Sequence, residues 1–389
     1  MSDKAPNRGM ASSVIFHRHL SRLEQEGWGI HLICPEGESR TYEGHATWKT
    51  HFLPARRWWW PPFRPYGLRA RIRIELLAQD CASFVRQSGA GVILGYLRGN
   101  YLAGLAAHLS RRHGVPLGYF YHDDTELFPD IVGRPKIRSQ FRCFKAGLME
   151  QASAVWAVSA PMLEEEGASA KYRLFYPLSE PVDPAPAPAW KPEFCSRPLL
   201  VHAGTVYREI VAPLVDLARA LREIGGTLCL LTHTLKLAEE VRSQAGGAVE
   251  IRPGLPAAEA VAWIRGNAAG LVVMYPERME EMPWIKTNFP SKFCQFTATG
   301  LPTLIHAPMG SALRRWADDK EYPAVLPAAS RPGLGEAIRR CLERGSWERA
   351  AEICKEEWQG EFRPDGIHRR LADELETMAG RRKIRLGSK

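Results

Sequence analysis

Short apolar segments separated by stretches of helical periodicity recur along the whole chain, and this alternation restricts the fold more than any other feature. In the first half, residues 29–34, 91–95, 116–121 and 154–158 read as strands, with helical patterns over 12–27, 101–112 and 138–151. In the second half the strands are 199–202, 227–231, 249–251, 270–274 and 302–305. Helices over 211–224, 235–244, 257–266 and 292–299 lie between them. Apolar strands joined by helices of about 10–15 residues form parallel sheets covered on both faces. The expectation is an α/β protein.

Seven prolines fall between Pro177 and Pro198. That density disfavours helix and sheet interior and gives an extended, semi-rigid connector. It divides the chain into domains of similar size: 1–176, a linker 177–198, and 199–362. Residues 363–380 are expected to form a C-terminal helix that crosses back to the first domain, followed by a basic tail, 381–389. The length of 389 residues suits two domains rather than one core.

A doubly wound domain normally begins with a strand that delivers a glycine loop to the first helix. Gly9 and the helix are present, but residues 2–8 are polar. The first domain is therefore expected to lack its opening strand, with an apolar segment of about five residues, a normal strand length, encoded upstream.

No run of apolar residues is long enough to span a bilayer. Residues 1–6 lack a basic region followed by an apolar one, so no secretory signal is expected there. The eight cysteines contain no C-x-x-C pair, which argues against a disulfide framework or zinc site and suits a reducing cytosol. The net charge is +9, with the surplus in the first half and the tail. Such a surplus attracts anionic partners without choosing among membrane, nucleic acid and phosphorylated substrate.

Three segments carry candidate chemistry. In Phe289-Pro290-Ser291-Lys292-Phe293-Cys294-Gln295-Phe296-Thr297-Ala298-Thr299-Gly300-Leu301-Pro302, Ser291 is placed to cap a helix whose first turn, with Lys292, suits a phosphate. Gly300 ends that helix. His122-Asp123-Asp124 follows a strand at its C-terminal end, the edge where open α/β sheets bind ligands. The adjacent acids read as a solvated turn or cap rather than a metal site. Residues 56–73 hold six arginines and five aromatics with no acid, Arg56, Arg57, Trp58, Trp59, Trp60 and Arg64 among them. Aromatics mixed with cations suit a headgroup interface, a stacked sugar or single-stranded nucleic acid. No nucleic-acid recognition motif supports the last.

The 290–302 segment resembles the P-S-K-L-F-E-Y-M-A-A-G-x-P signature of family-4 glycosyltransferases. Further segments agree in order: Pro6 to Gly9 with the P-x-x-G-G loop, Gly29-Ile30-His31-Leu32-Ile33 with the strand after the first helix, and Ala152 to Ser159 with the segment ending the first domain. Leu200 to Thr205, including Gly204, is similar to the strand and glycine turn opening the second domain, and Val249 to Leu255, including Gly254, to the piece beside the nucleotide base. The resemblance covers nearly the whole chain. It implies a GT-B architecture of two Rossmann-like domains facing a cleft, and a retaining hexosyltransferase-like enzyme that moves a sugar from a nucleotide sugar to a glycan or lipid-linked acceptor. The setting would be bacterial-type surface polysaccharide or glycolipid synthesis, in the cytoplasm and at the inner face of the membrane, where the basic aromatic segment would meet an anionic surface. No cofactor or metal and no nucleic-acid partner are expected.

The resemblance also implies roles. His122 would lie near the transferred sugar, and Lys292 and Arg208 would hold the leaving diphosphate. Gly9, Gly204, Thr205, Gly254, Leu255, Ser291 and Gln295 would bind the donor. Two departures weaken the site. The usual ribose-binding carboxylate is replaced by Gln295, and the usual R-x4-K pair falls on Thr205 and Ile210. A catalytically weakened homologue that binds a nucleotide sugar or a partner is therefore the second reading. Sugar-nucleotide epimerisation would need further active-site acids that the sequence does not place.

Overall fold

A computed structural model describes residues 11–36, 47–53, 68–97, 101–167, 169–182, 188–327 and 333–380. The chain separates into two compact units, residues 1–178 with 367–389, and residues 179–366.

The first unit runs from helix α1 (Ala11–Gln25) through strands β1 (His31–Pro35) and β2 (Lys49–Leu53) to helix α2 (Leu68–Ser88). Strand β3 (Ile93–Tyr96), helix α3 (Tyr101–His113), β4 (Leu117–Tyr121), the helix Pro135–Gln151, β5 (Ala154–Ala157) and β6 (Tyr172–Leu174) follow. β1 pairs with β2, and β3, β4, β5 and β6 form a second run in that order, all parallel. Alternation along β4 assigns its two faces. Tyr119 and Tyr121 join the cluster built from α2 and α3 (Ile74, Leu77, Leu105, Leu109), and the Tyr119 hydroxyl donates to the Ala103 carbonyl at 2.5 Å. Phe120 points the other way, edge-on to Phe16 of α1 at 5.5 Å. Buried Ala70, Ile74, Leu77, Ala78 and Cys81 recur at helical spacing, which makes α2 amphipathic. The basic segment therefore does not run as one surface to residue 73: from Leu68 onward it is helix, and Ala70 is buried.

The C-terminal helix Pro364–Met378 completes this unit. Glu374 accepts from Trp156 Nε1 and from Arg173 Nε, each at 2.7 Å. The rings of His368 and His19 stack, with their Nδ1 atoms 3.5 Å apart.

The second unit contains β7 (Leu199–Ala203), β8 (Thr227–Thr232), β9 (Val249–Pro253), β10 (Gly270–Met274) and β11 (Thr303–His306). Their order, β11-β10-β7-β8-β9, is parallel throughout. Counted from β7 this is 3-2-1-4-5, the doubly wound arrangement. β7, β8, β10 and β11 are almost wholly buried, as a sheet covered on both faces requires, whereas the edge strand β9 buries only Val249. The proline-rich stretch is not free of helix, for Glu193–Ser196 forms one turn with Pro192 at its start, a position proline tolerates. That turn is fixed to the second unit where Trp190 Nε1 donates to the Leu342 carbonyl at 2.9 Å. Among the described residues no helix is long and apolar enough to cross a membrane.

Candidate functional site

In the second unit the sheet changes direction of strand order at β7, and ligands of such sheets bind in the crevice beyond the strand ends at that point. β7 is followed at once by Gly204, whose φ of +142° lies in a region that L side chains rarely adopt. A Cβ on Gly204 would stand 3.5 Å from Lys292 Cγ, so the lysine stem lies along this glycine turn. Lys292 itself is exposed and Ser291 half-buried. The structure thus brings Gly204 and Lys292 together from positions far apart in sequence.

Ser291 does not cap its helix. Pro290 is the N-cap and Ser291 the first helical residue, with no side-chain capping bond. The α-helix covers only Ser291–Phe296 before tightening into a 3-10 turn at Thr297–Thr299, and six residues supply little dipole. Gly300 ends the turn in the left-handed conformation, as expected.

Gly254 follows β9 at the same sheet edge. Its N–H donates to the Thr232 carbonyl at 3.1 Å, and a Cβ there would come within 2.2 Å of His233 Nε2. The imidazole rests against the glycine backbone, and a side chain at 254 would displace it. Sequence reasoning missed His233, which lacks any surrounding motif. Thr205 and Leu255 are exposed beside these turns.

Two other residues are committed elsewhere. Arg208 is ion-paired with Glu240 at the surface. Gln295 is buried, its Oε1 accepting from Glu180 N and its Nε2 donating to Glu180 O.

In the first unit His122 closes β4 and is buried. Burial pushes its imidazole down to about 4, with Asp123 pulling in the opposite direction. Its ring packs near Tyr96 and Phe120, and the Tyr96 hydroxyl donates to Asp123 Oδ2 at 2.8 Å. Asp124 caps the 3-10 turn Thr125–Leu127 by accepting from Glu126 N at 3.1 Å. Behind this loop lies buried Lys145, 2.9 Å from Glu126 Oε1 and 3.6 Å from Asp124 Oδ1, and paired also with Glu166. It donates to the Tyr121 hydroxyl at 2.8 Å. Burial disfavours the charged ammonium, but the three carboxylates outweigh it and raise its pKa. Burial likewise pushes the Glu126 carboxyl up, while Lys145 and Arg142 outweigh that and leave it low. The charged cluster fixes the loop that presents His122. Gly9, Arg56, Arg57, Trp58, Trp59, Trp60 and Arg64 lie outside the described residues.

No family model matches the chain, and no curated protein matches its sequence. Solved structures do match. A glycosyltransferase from Rickettsia africae ESF-5 is similar over 96% of both chains, with a TM-score of 0.64 and 8% identity. HepE from Anabaena, determined in complex with UDP, gives a TM-score of 0.63 and 12% identity over 96% of this chain and 98% of that one. The architecture is GT-B. A protein from Listeria monocytogenes assigned as a UDP-N-acetylglucosamine 2-epimerase gives 0.56 and 12% identity over 96% of each chain. The GT-B fold accounts for both sets of candidate residues standing at C-terminal strand ends, His122 after β4 and Gly204 and Gly254 after β7 and β9. Because the likeness extends to a protein assigned as an epimerase, fold does not choose the chemistry.

Proposed function

We propose that the protein is a glycosyltransferase taking a UDP-sugar in its second unit. The observation that carries this reading is Lys292 lying along the Gly204 turn at the β7 switch point. A lysine whose stem lies along a glycine turn at a sheet switch point is suited to a diphosphate. HepE, of the same fold, was determined with UDP.

The reaction proposed is sugar transfer with retention of anomeric configuration, by front-face displacement, to a glycan or lipid-linked acceptor bound by the first unit. Lys292 and backbone N–H groups stabilise charge developing on the leaving diphosphate, where such a site gains most of its rate. Arg208 contributes after exchanging Glu240 for the diphosphate. Neutral His122 accepts or donates a hydrogen bond at the transferred sugar without adding charge. The membrane setting belongs to this proposal, resting on the basic aromatic segment.

The test is thermal stabilisation by UDP and a panel of UDP-sugars, since a ligand that binds only the native state raises the midpoint by mass action. UDP should stabilise the wild type, and Lys292→Ala should weaken binding by about 1–3 kcal/mol, the range for a charge-assisted hydrogen bond. No stabilisation by any uridine nucleotide would overturn the reading. A catalytically weakened binder is the second reading, favoured by the engagement of Arg208 with Glu240 and of Gln295 with Glu180. Donor binding without transfer or hydrolysis would select it.

A further inference from the structure

Among the described residues the second unit exposes four large apolar side chains, Tyr207, Leu235, Leu255 and Met309. Each follows a strand by two to four residues, after β7, β8, β9 and β11 in turn. Apolar residues exposed singly need no explanation, but their confinement to one sheet edge does. That edge is the one at which Lys292 lies along the Gly204 turn.

The loop after β8 is held on both sides. Gly254 N donates to Thr232 O at 3.1 Å, and Val206 N donates to Thr234 Oγ1 at 2.8 Å. The two threonine hydroxyls lie 2.7 Å apart, and Thr234 N donates to Thr232 Oγ1 at 3.1 Å. His233 stands between these threonines and is exposed, while Thr232 is buried and Thr234 half-buried. An exposed ring on a backbone already fixed loses little freedom when a ligand stacks on it.

The ring has a defined attitude. A Cβ on Gly254 would stand 2.2 Å from His233 Nε2, 2.5 Å from Cε1 and 2.6 Å from Cδ2. An approach in the ring plane would leave the two carbons much farther away than the nitrogen. The near-equal distances therefore put Gly254 over the face of the imidazole. Main chain covers that face, and the exposure of His233 falls to the opposite face and the rim. A flat aromatic surface backed by protein and open outward is a stacking platform for a planar heterocycle. Leu255 is exposed next to Gly254 in the chain.

We infer that the base of the nucleotide stacks on the outer face of His233. The inference rests on the nucleotide-sugar reading above and extends it to a residue that carries no sequence motif. Position selects the base over the sugar. In the order β7-β8-β9, the Gly254 turn stands two strand spacings from the Gly204 turn, about 10 Å. A ribose and a diphosphate bridge such a separation, so phosphates held at Lys292 bring the base to His233. Stacking is tolerant of base identity, and His233 therefore supplies affinity rather than the choice of uridine.

Calorimetry with UDP and with inorganic pyrophosphate tests this. His233→Ala should weaken UDP about tenfold, the scale of base–aromatic stacking, and leave pyrophosphate unchanged. His233→Phe keeps a flat face and should retain most of the affinity. Gly254→Ala should weaken UDP as His233→Ala does, because the methyl displaces the ring, and should add nothing once His233 is alanine. UDP bound equally by the wild type and His233→Ala overturns the inference and leaves the nucleotide-sugar reading standing. Equal losses of UDP and pyrophosphate in His233→Ala would mark a distorted phosphate site and overturn it as well. Binding of ADP or GDP in place of UDP, with the same dependence on His233, would remove uridine from that reading and uphold the inference. A wild type that binds none of these nucleotides overturns both.

Discussion

Gln295 spends both halves of its side-chain amide on the main chain of Glu180, accepting from its N–H at 2.7 Å and donating to its carbonyl at 3.2 Å. The family resemblance implies that this position meets the donor ribose, where Gln295→Glu would preserve or improve donor affinity. The observed pairing adds an effect on stability. A carboxylate still accepts from the N–H but sets an oxygen against the Glu180 carbonyl, with no donor between them. Gln295→Glu should therefore lower stability by about 1–3 kcal/mol, the cost of an unsatisfied buried polar group. Urea denaturation checks this, and an unchanged midpoint would show that the clasp is dispensable.

Lys145 is the second stability-critical side chain. Lys145→Met keeps the volume but leaves Asp124, Glu126 and Glu166 without their shared cation. Breaking a buried ion pair from one side costs about 3–5 kcal/mol. The deficit should shrink as pH falls from 7 to 5, because protonating the carboxylates removes their mutual repulsion. Denaturation at both pH values measures it, and an equal loss at each would point to packing instead of charge.

Much of this was legible in the sequence, for particular reasons. Residues 270–274 and 199–202 were readable as strands because a sheet covered on both faces leaves uninterrupted apolar runs. β2, with Lys49, Thr50 and His51, has no such run and was missed, as was α2, whose arginine-rich start hides the helical spacing of Ala70, Ile74 and Leu77. Lys145 had a signal that went unused: it sits among Phe141, Leu148 and Met149 on the buried stripe of its helix. The partner of Gln295 had none, since Glu180 is 115 residues away. Positions joined only by tertiary contact, such as His233 against Gly254, carry no local pattern.

Acid should destabilise the first unit through its buried histidines. Burial lowers the His122 pKa to about 4 from 6.5. Burial also holds His19 well below its ordinary value, with nearby His368 and His122 acting in the same direction. Below pH 6.5 the unfolded chain takes up protons that the folded rings refuse, so stability falls as pH drops from 6.5 toward 4. For His122 alone the loss reaches about 2 kcal/mol by pH 5. His122→Gln should flatten the pH dependence of the thermal midpoint between 7 and 5. A parallel slope in that variant would locate the acid sensitivity elsewhere.

The basic aromatic segment should bind anionic vesicles. Each arginine near such a surface contributes on the order of 1 kcal/mol, screened by salt, and the indoles add a salt-insensitive part. Its end runs into α2, which exposes Ile72 and Leu76 one turn apart. Co-sedimentation should weaken at high salt without vanishing, and should be lost when Trp58, Trp59 and Trp60 become serine. Binding that ignores the tryptophans would make a soluble acceptor the better assignment.

The clamp of Glu374 on Trp156 and Arg173 has a consequence for biosynthesis. Its two sides are 218 and 201 residues apart, with the whole of the second unit translated between them. At about 5–20 residues per second, the ribosome delivers the closing helix on the order of 10–40 s after the sheet that awaits it. During that interval the indole of Trp156 and the surface beneath the future helix are open to chaperones or to aggregation. The nascent amino-terminal half can reach its final form only after the carboxy-terminal helix has left the exit tunnel.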